Sequence, residues 1–507
     1  MDATRRTEKL QDFALKFLLP TVIILIVLAV YHQILKADFV MWDDDIIIYN
    51  NHRLGPLSPN RIRWAFTDVD SMMRYNPLTL ISWSATISLF GLKPFGFHLG
   101  NWLFHGCSSV ILYFLIRKIV THAAASPTDA SGPDQVRIGI VSFIATLLWA
   151  LHPLRVEPVA WATDRTYCQA LFFVLLSALC YVTAHEHGTR RGKYIQAMAM
   201  SFVFYVLSVF SYANGITFFV VYFILDIFLF KRIGGDKGWL RTQAARQVIL
   251  EKLLFAVPAV SIGLISVIVR VHSAGVWKPP VPLSEFGLLD RFMQASYIVA
   301  YYAYRPFYPF DLAPVYSTLV YFDPLSVPFL ARAAGVCAVL AFAVVYRRRC
   351  PLAMATLLSY CVLLVPVMGF FEHPHYHVDR YSLLPSIAFT VCAAFILLKI
   401  KSRPYFLTTA SVSALIVLFL GVLSLKQTTT WHDSETLFTH MIETLKGDPY
   451  QSDIYWRLGK YLYEKGDKDK AIGCFENTLT IDPDNVAANA FIAKIRQENS
   501  AKKSWKN

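Results

Sequence analysis

Phe17 to Leu35 reads FLLPTVIILIVLAVYHQIL, and how this run is taken decides the fold. A helix needs about 20 largely apolar residues to cross a hydrocarbon core about 30 Å thick, and this run meets that length. Arg5, Arg6 and Lys9 precede it as they would a secretory signal, but no small-residue cleavage site follows. The expectation is a retained first spanning helix, with residues 1–16 as a cytoplasmic N-terminus.

The rest of the chain agrees with that reading. Of 507 residues, 55% are hydrophobic, 15% aromatic and only 16% charged, and the mean hydropathy is +0.43. A soluble domain rarely carries that balance, so an integral membrane protein is expected. The net charge of +13 would suit a nucleic-acid partner, yet the basic residues sit in short clusters between apolar runs. That arrangement signals topology, and no nucleic acid is expected. Cys107, Cys168, Cys180, Cys337, Cys361 and Cys392 lie in or beside apolar runs, so no disulfide framework follows.

Apolar runs of spanning length fall near 17–35, 96–119, 138–153, 165–186, 194–211, 213–230, 252–271, 326–346, 351–371, 381–400 and 405–425. The predicted fold class is therefore all-α: a polytopic helix bundle of about eleven spans over 17–425. Pro77 to Leu92 would reach only roughly 24 Å at 1.5 Å per residue, and Phe292 to Tyr308 is tyrosine-rich and flanked by Arg291 and Arg305. Both read as interfacial helices; counting both as spans gives the alternative of thirteen. With eleven, Arg117/Lys118, Arg190/Arg191/Lys193, Lys231/Arg232, Arg347/Arg348/Arg349 and Lys399/Lys401/Arg403 share the side of the N-terminus. The positive-inside rule makes that side cytoplasmic, so the loops 36–95, 152–164, 272–325 and 372–380 face outward. The expected home is a bacterial inner membrane with a periplasmic C-terminal region.

In that region Asp448-Pro449 and Asp482-Pro483 stand 34 residues apart, the tetratricopeptide period. Tyr455, Leu458, Gly459, Leu462, Ala471, Phe475 and Pro483 fall at that repeat's packing positions. A short tetratricopeptide-like unit over 431–497 is expected, then a polar tail over 498–507. Fewer than three full repeats are present, which predicts that the hairpin leans on a neighbour.

The polar groups concentrate in the outward loops. Asp43, Asp44 and Asp45 follow the first span directly. Three adjacent carboxylates read either as a solvated helix cap or as a site for a cation or an acceptor hydroxyl, with one acid as general base. The second loop carries His152, Arg155, Glu157, Trp161, Asp164 and Arg165, a set that suits a phosphorylated ligand as well as it suits snorkelling charges at an interface. His373, His375 and His377 alternate before Arg380, without the spacing of a known metal site. Arg380 is the better phosphate candidate. His98, Asn101 and His105 share one helix face; packing hydrogen bonds account for them, and His98 is placed to reach the first-loop acids.

The strings FVMWDDDIIIYNN (39–51), NPLTLISWSATISLFGLKPFGFHLGNWLFH (76–105), HPLRVEPVAWATDR (152–165) and VDRYSLLPSIAF (378–389), with the tail, run in the family's order. Together they resemble the TMTC-like membrane proteins, which join a GT-C glycosyltransferase core to tetratricopeptide repeats and are related to protein O-mannosyltransferases. The resemblance implies a transferase that moves a mannose-like hexose from a polyprenyl-phosphate donor to a protein hydroxyl on the non-cytoplasmic face; the repeat is a candidate to engage the acceptor, although its array is much shorter than in many relatives. It places catalysis on Asp43 and Asp44 with Glu157 as second acid, and the donor phosphate on Arg380 and Arg165. Asp45, His98 and His152 complete the expected substrate-binding set. A divalent cation, Mg or Mn, would fall to Asp44 and Glu157. This chain departs from the family where Gly-Arg-Lys-Asp is replaced by Asp164-Arg165-Thr166-Tyr167. Alternatives are transfer to a lipid or envelope polysaccharide and a non-enzymatic scaffold; a transporter would need more charge within the spans.

Overall fold

The computed structural model describes residues 2–69, 74–125, 134–186, 190–234, 239–272, 281–320, 322–370 and 372–504. Part of the expected loop 272–325 and the end of the polar tail lie outside them. The regular secondary structure of the described residues is helical, apart from one isolated antiparallel bridge between Tyr316 and His377.

The first span, α1 (Glu8–Lys36), leads outward to α2 (Pro59–Thr67) and α3 (Pro77–Phe90). There follow α4 (Pro94–Ala124), α5 (Gln135–Ala150), the short α6 (Val156–Ala160), α7 (Arg165–Ala184), α8 (Arg191–Ser211) and α9 (Phe218–Phe228). Next come α10 (Gln243–His272), α11 (Leu288–Tyr304), α12 (Val327–Tyr346), α13 (Pro351–Leu364), α14 (Ser386–Leu398) and α15 (Arg403–Thr428). The tail holds α16 (Ser434–Thr444), α17 (Gln451–Lys465), α18 (Lys468–Ile481) and α19 (Val486–Ser504).

Among the described residues, seven helices are long and apolar enough to cross a membrane: α1, α4, α7, α8, α10, α12 and α15. An eighth is bent, α5 turning by 65° into the arm Pro153–Ala160. The other three of the eleven runs form shorter helices. Their interruptions have local causes: a 3-10 turn at Ala213–Gly215 precedes α9, another at Val365–Val367 carries Pro366 after α13, and Pro385 sits before α14. Proline withholds a backbone donor and glycine loosens the chain, so each run breaks where it meets one.

α1 packs on α4 and α5, α7 lies along α4 and α8, and α14 closes against α5. The inner faces bury Ile23, Val27, Leu112, Ile116, Val174, Tyr205 and Tyr222, while Leu253, Val257, Leu264, Val339 and Leu415 remain exposed on the outer faces. An apolar rim around a packed centre is what a bilayer-embedded bundle requires. Buried polar groups are tied to backbone: Tyr31 Oη donates to Ala150 O (3.1 Å) and Tyr113 Oη to Leu15 O (2.9 Å).

Charged residues separate to the two ends of the bundle. Lys118 pairs with Glu186 at 2.5 Å, and Arg232 with Glu251 at 2.7 Å, at one end. At the other end the first loop, the α5–α7 connection, the 368–382 segment and the tail converge. Within the tail, α17 and α18 touch at Gly459. A Cβ there would stand 2.7 Å from the Phe475 ring, so only glycine admits the contact.

Candidate functional site

The site is built where three connections meet. In the first, Asp44 is fully buried; Oδ1 accepts from Thr163 N (3.0 Å) and Thr163 Oγ1 (2.6 Å), and Oδ2 from Val40 N (3.0 Å). Its two oxygens thereby tie the first loop to the second. Burial raises its carboxyl to about 7 against the pull of those donors.

Asp43 occupies a backbone conformation with φ 102°, which costs an L-residue of order 1–3 kcal/mol. Its carbonyl accepts from Ile46 N (3.1 Å) and Ile47 N (2.8 Å), starting the turn into Asp45–Tyr49. No donor among the described residues hydrogen-bonds its carboxylate. Burial raises that carboxyl, while Arg74, Arg457 and Arg380 pull it down. The triplet thus divides: Asp44 holds the loop, Asp45 faces Lys460 of α17 (3.6 Å), and Asp43 keeps its carboxylate free.

Arg380 comes from the turn Asp379–Ser382. Its backbone N–H donates to Glu157 Oε2 (2.7 Å) and its guanidinium to Glu157 Oε1. The guanidinium lies over the rings of Trp161 (5.0 Å), Tyr381 (5.6 Å) and Tyr167 (5.9 Å), with Nε 3.8 Å from Asp164 Oδ1. Among the described residues neither Asp164 oxygen nor Arg380 Nε has a hydrogen-bond partner, though all three are buried. Arg74 adds a second cation, its guanidinium 5.8 Å from the Tyr212 ring and close enough to act on both Asp43 and Asp164. Behind Glu157, Asp379 accepts from Tyr316 Oη (3.0 Å); burial and the neighbouring Glu157 raise its carboxyl.

The structure therefore brings Asp43, Glu157 and Arg380 to one place and puts other expected residues to different use. Arg165 is spent on the protein itself, donating to Asn101 Oδ1 (3.1 Å), Thr86 Oγ1 (2.7 Å), Gly96 O (3.3 Å) and Phe97 O (2.5 Å). Its guanidinium lies where a Cβ on Gly100 would be, 2.3 Å from Nη2. His152 accepts from Leu154 N (3.2 Å) on Nδ1 and donates from Nε2 to Pro306 O (2.9 Å), stapling the second loop. His98 reaches the first loop at the Asp38 carbonyl (3.4 Å) and not at the triplet; Asn101 and His105 bind Trp161 O (2.8 Å) and Ala150 O (2.9 Å).

The cation expected on Asp44 and Glu157 does not fit them. Three donors occupy the oxygens of Asp44, and Arg380 occupies those of Glu157. Among the described residues no cluster of three or more His, Cys, Asp or Glu is set to hold a metal. Arg74 and Arg457 have no role in the sequence reading, and Asp164 enters it only as a member of the second-loop polar set. Asp164 stands inside the string 152–165 that marked Glu157, whereas nothing in the composition around Arg74 or Arg457 distinguishes them.

Outward comparison agrees with the resemblance read from the strings. The protein O-mannosyl-transferase TMTC1 of Homo sapiens is 24% identical over 503 residues, covering 90% of this chain and 54% of that protein. The TMTC3 protein of Mus musculus is 22% identical over 505 residues, covering 94% and 52%. The chain spans about half the length of the curated relatives it matches. Among solved structures, the Archaeoglobus fulgidus oligosaccharyltransferase tethered with an acceptor peptide aligns with a TM-score of 0.42 at 12% identity, over 88% of this chain and 59% of that one. No family model matches the chain.

Proposed function

We propose that this integral membrane protein is a glycosyltransferase that takes a mannose-like hexose from a polyprenyl-phosphate donor and places it on a protein hydroxyl at the non-cytoplasmic face. The observation that carries the reading is the Asp43 carboxylate, without a hydrogen-bond donor among the described residues and held in a strained backbone beside Arg380 and Arg74. A free acid among arginines at the end of an apolar bundle suits a donor whose lipid stays in the bilayer and whose phosphate departs there. The names of the curated relatives supply the same class of activity.

In this mechanism Asp43 takes the proton of an acceptor Ser or Thr hydroxyl as its oxygen attacks the anomeric carbon. The bond between that carbon and the phosphate oxygen breaks, the oxygen keeps the electron pair, and the configuration inverts. Arg380, fixed by Glu157 and backed by three aromatic rings, faces the developing phosphate charge with the Nε that otherwise stands 3.8 Å from Asp164; Arg74 supports it. Asp164 stands where it neutralises Arg380 before the donor arrives. Clusters of Lys and Arg at the opposite end support a cytoplasmic position for that end, and in this reading the membrane is a bacterial inner membrane with the tail periplasmic.

The test is transfer of labelled mannose from polyprenyl phosphomannose to a Ser/Thr peptide by the purified full chain. Activity that vanishes in Asp43→Asn, with expression and melting temperature retained, supports the reading. An Asp43→Asn enzyme of wild-type rate removes Asp43 from the chemistry, and a wild-type chain inert toward every prenyl-phosphate hexose supplied leaves the scaffold alternative.

A further inference from the structure

Five contacts bind the tail to the loop that carries Asp43. Asp38 N donates to His432 O (2.8 Å), and Met41 N to Ser434 Oγ (2.8 Å). The Trp42 ring lies between Phe438, at 6.4 Å, and the Arg457 guanidinium, at 4.8 Å. Lys460 Nζ stands 3.6 Å from Asp45 Oδ2. Arg457 is itself oriented by Asp453, one turn earlier on α17, through an Nε bond of 2.7 Å. On the opposite side the same loop is held by Asp44 on Thr163, by His98 on the Asp38 carbonyl (3.4 Å) and by the Phe39 ring against Phe97 (5.3 Å). Asp43 sits between these two sets of anchors in its φ 102° conformation. A strained residue persists where its surroundings over-determine it, and here part of those surroundings belongs to the tail.

We propose that α17 is a wall of the site rather than an appendage, and that Arg457 is a positioning residue: it clamps Trp42 and, with Lys460, holds Asp43 toward Arg380. This rests on the function proposed above for its kinetic readout, but the clamp itself can be observed without activity. It also changes what the tail does. A repeat that only gripped the acceptor would, when perturbed, raise the acceptor KM; a wall that aims the base lowers kcat, because a misplaced catalytic group costs rate at saturation.

The groups facing Asp43 are Arg74 before α3, Arg380 from the late turn, Arg457 from α17, and the carboxylates of Asp44, Asp45 and Asp164. Removing the charge of Arg457 leaves fewer cations to favour the ionised base. Its carboxyl then rises, and the acid limb of kcat moves to higher pH. Lysine keeps a charge at the position but not the flat guanidinium over Trp42.

The experiment compares wild type, Arg457→Ala, Arg457→Lys and Lys460→Gln as full chains, using polyprenyl phosphomannose and a Ser/Thr peptide. Expected are a kcat loss of about tenfold or more in Arg457→Ala, an unchanged acceptor KM, an acid limb moved to higher pH, and lost hydrogen-exchange protection over residues 41–47. Arg457→Lys restores the acid limb and part of kcat, and Lys460→Gln gives a smaller loss of protection over the same residues. Wild-type kcat with an unmoved acid limb in Arg457→Ala overturns the proposal, as does a purely KM effect. If Arg457→Ala does not fold, wild-type protection over 41–47 in both other variants overturns it. If the wild-type chain transfers no sugar, the functional reading fails on its own, and the exchange measurement still decides the clamp.

Discussion

Glu157 receives Arg380 twice, the backbone N–H on Oε2 at 2.7 Å and the guanidinium on Oε1. Both carboxylate oxygens are thereby committed, and the pair is buried at the meeting point of the second outward loop and the late turn. Glu157 consequently acts through Arg380: it fixes where the cation stands, leaving Nε to face Asp164 at 3.8 Å.

Glu157→Ala leaves Arg380 buried without its main partner, a change that costs about 3–5 kcal/mol in comparable pairs. Glu157→Gln keeps an acceptor for the backbone N–H and costs less. Melting temperatures in detergent should order wild type above Gln above Ala, and both variants should raise the KM for polyprenyl phosphomannose. A Glu157→Ala enzyme with wild-type melting and wild-type donor KM would contradict the geometry.

Arg380 is the better phosphate candidate in the sequence and Arg165 the second, and their partners separate the two further. Arg165 spends its donors on Asn101, Thr86 and two carbonyls of α4, so Arg165→Ala is expected to cost several kcal/mol of stability, at about 1.5–3 for each charged hydrogen bond. The donor KM of its folded fraction should match wild type. Arg380→Ala should lose roughly 10²–10³ in kcat. Equal kinetic losses in the two would return Arg165 to the site.

These two arginines show what was legible. Apolar runs of membrane length and clustered basic residues gave the helical, polytopic architecture, because lipid permits few alternatives to the helix. The proline and glycine interruptions that shorten α9, α13 and α14 were present in the same runs, but hydropathy averages over them. At the site, the outward loops were found by their charge, yet charge does not reveal partners. Asp44 beside Asp43, and Arg165 beside Asp164, differ only in which neighbours the fold delivers. Arg74 and Arg457 carried no local signal, since their role comes from contacts distant in sequence.

The buried carboxyls predict a pH dependence of stability. Burial raises Asp44 to about 7, whereas an unfolded aspartate titrates near about 3.9. The folded state thus binds the extra proton between those values. Its contribution is fully present below about 4, declines as pH climbs to about 7, and is gone above, at up to about 1.4 kcal/mol per pK unit. Asp43 and Asp379 shift in the same direction and add to the slope. The melting temperature should fall from pH 5 to pH 8, and Asp44→Asn should flatten that fall; an identical slope in the variant would assign it elsewhere.

The strain at Asp43 makes a separate prediction about stability and activity. At φ 102° a glycine is unstrained, while alanine meets the same backbone cost as aspartate without a carboxylate to place. Asp43→Gly should therefore fold at least as stably as wild type despite glycine's larger unfolded entropy, and exceed Asp43→Ala by about 1 kcal/mol or more. Both should transfer no sugar. The comparison separates a residue kept for packing from one kept for chemistry: a packing role makes both variants less stable than wild type, whereas a strained base gives a stable, inactive glycine variant. Melting temperature and mannose transfer, measured on the same three preparations, decide between them.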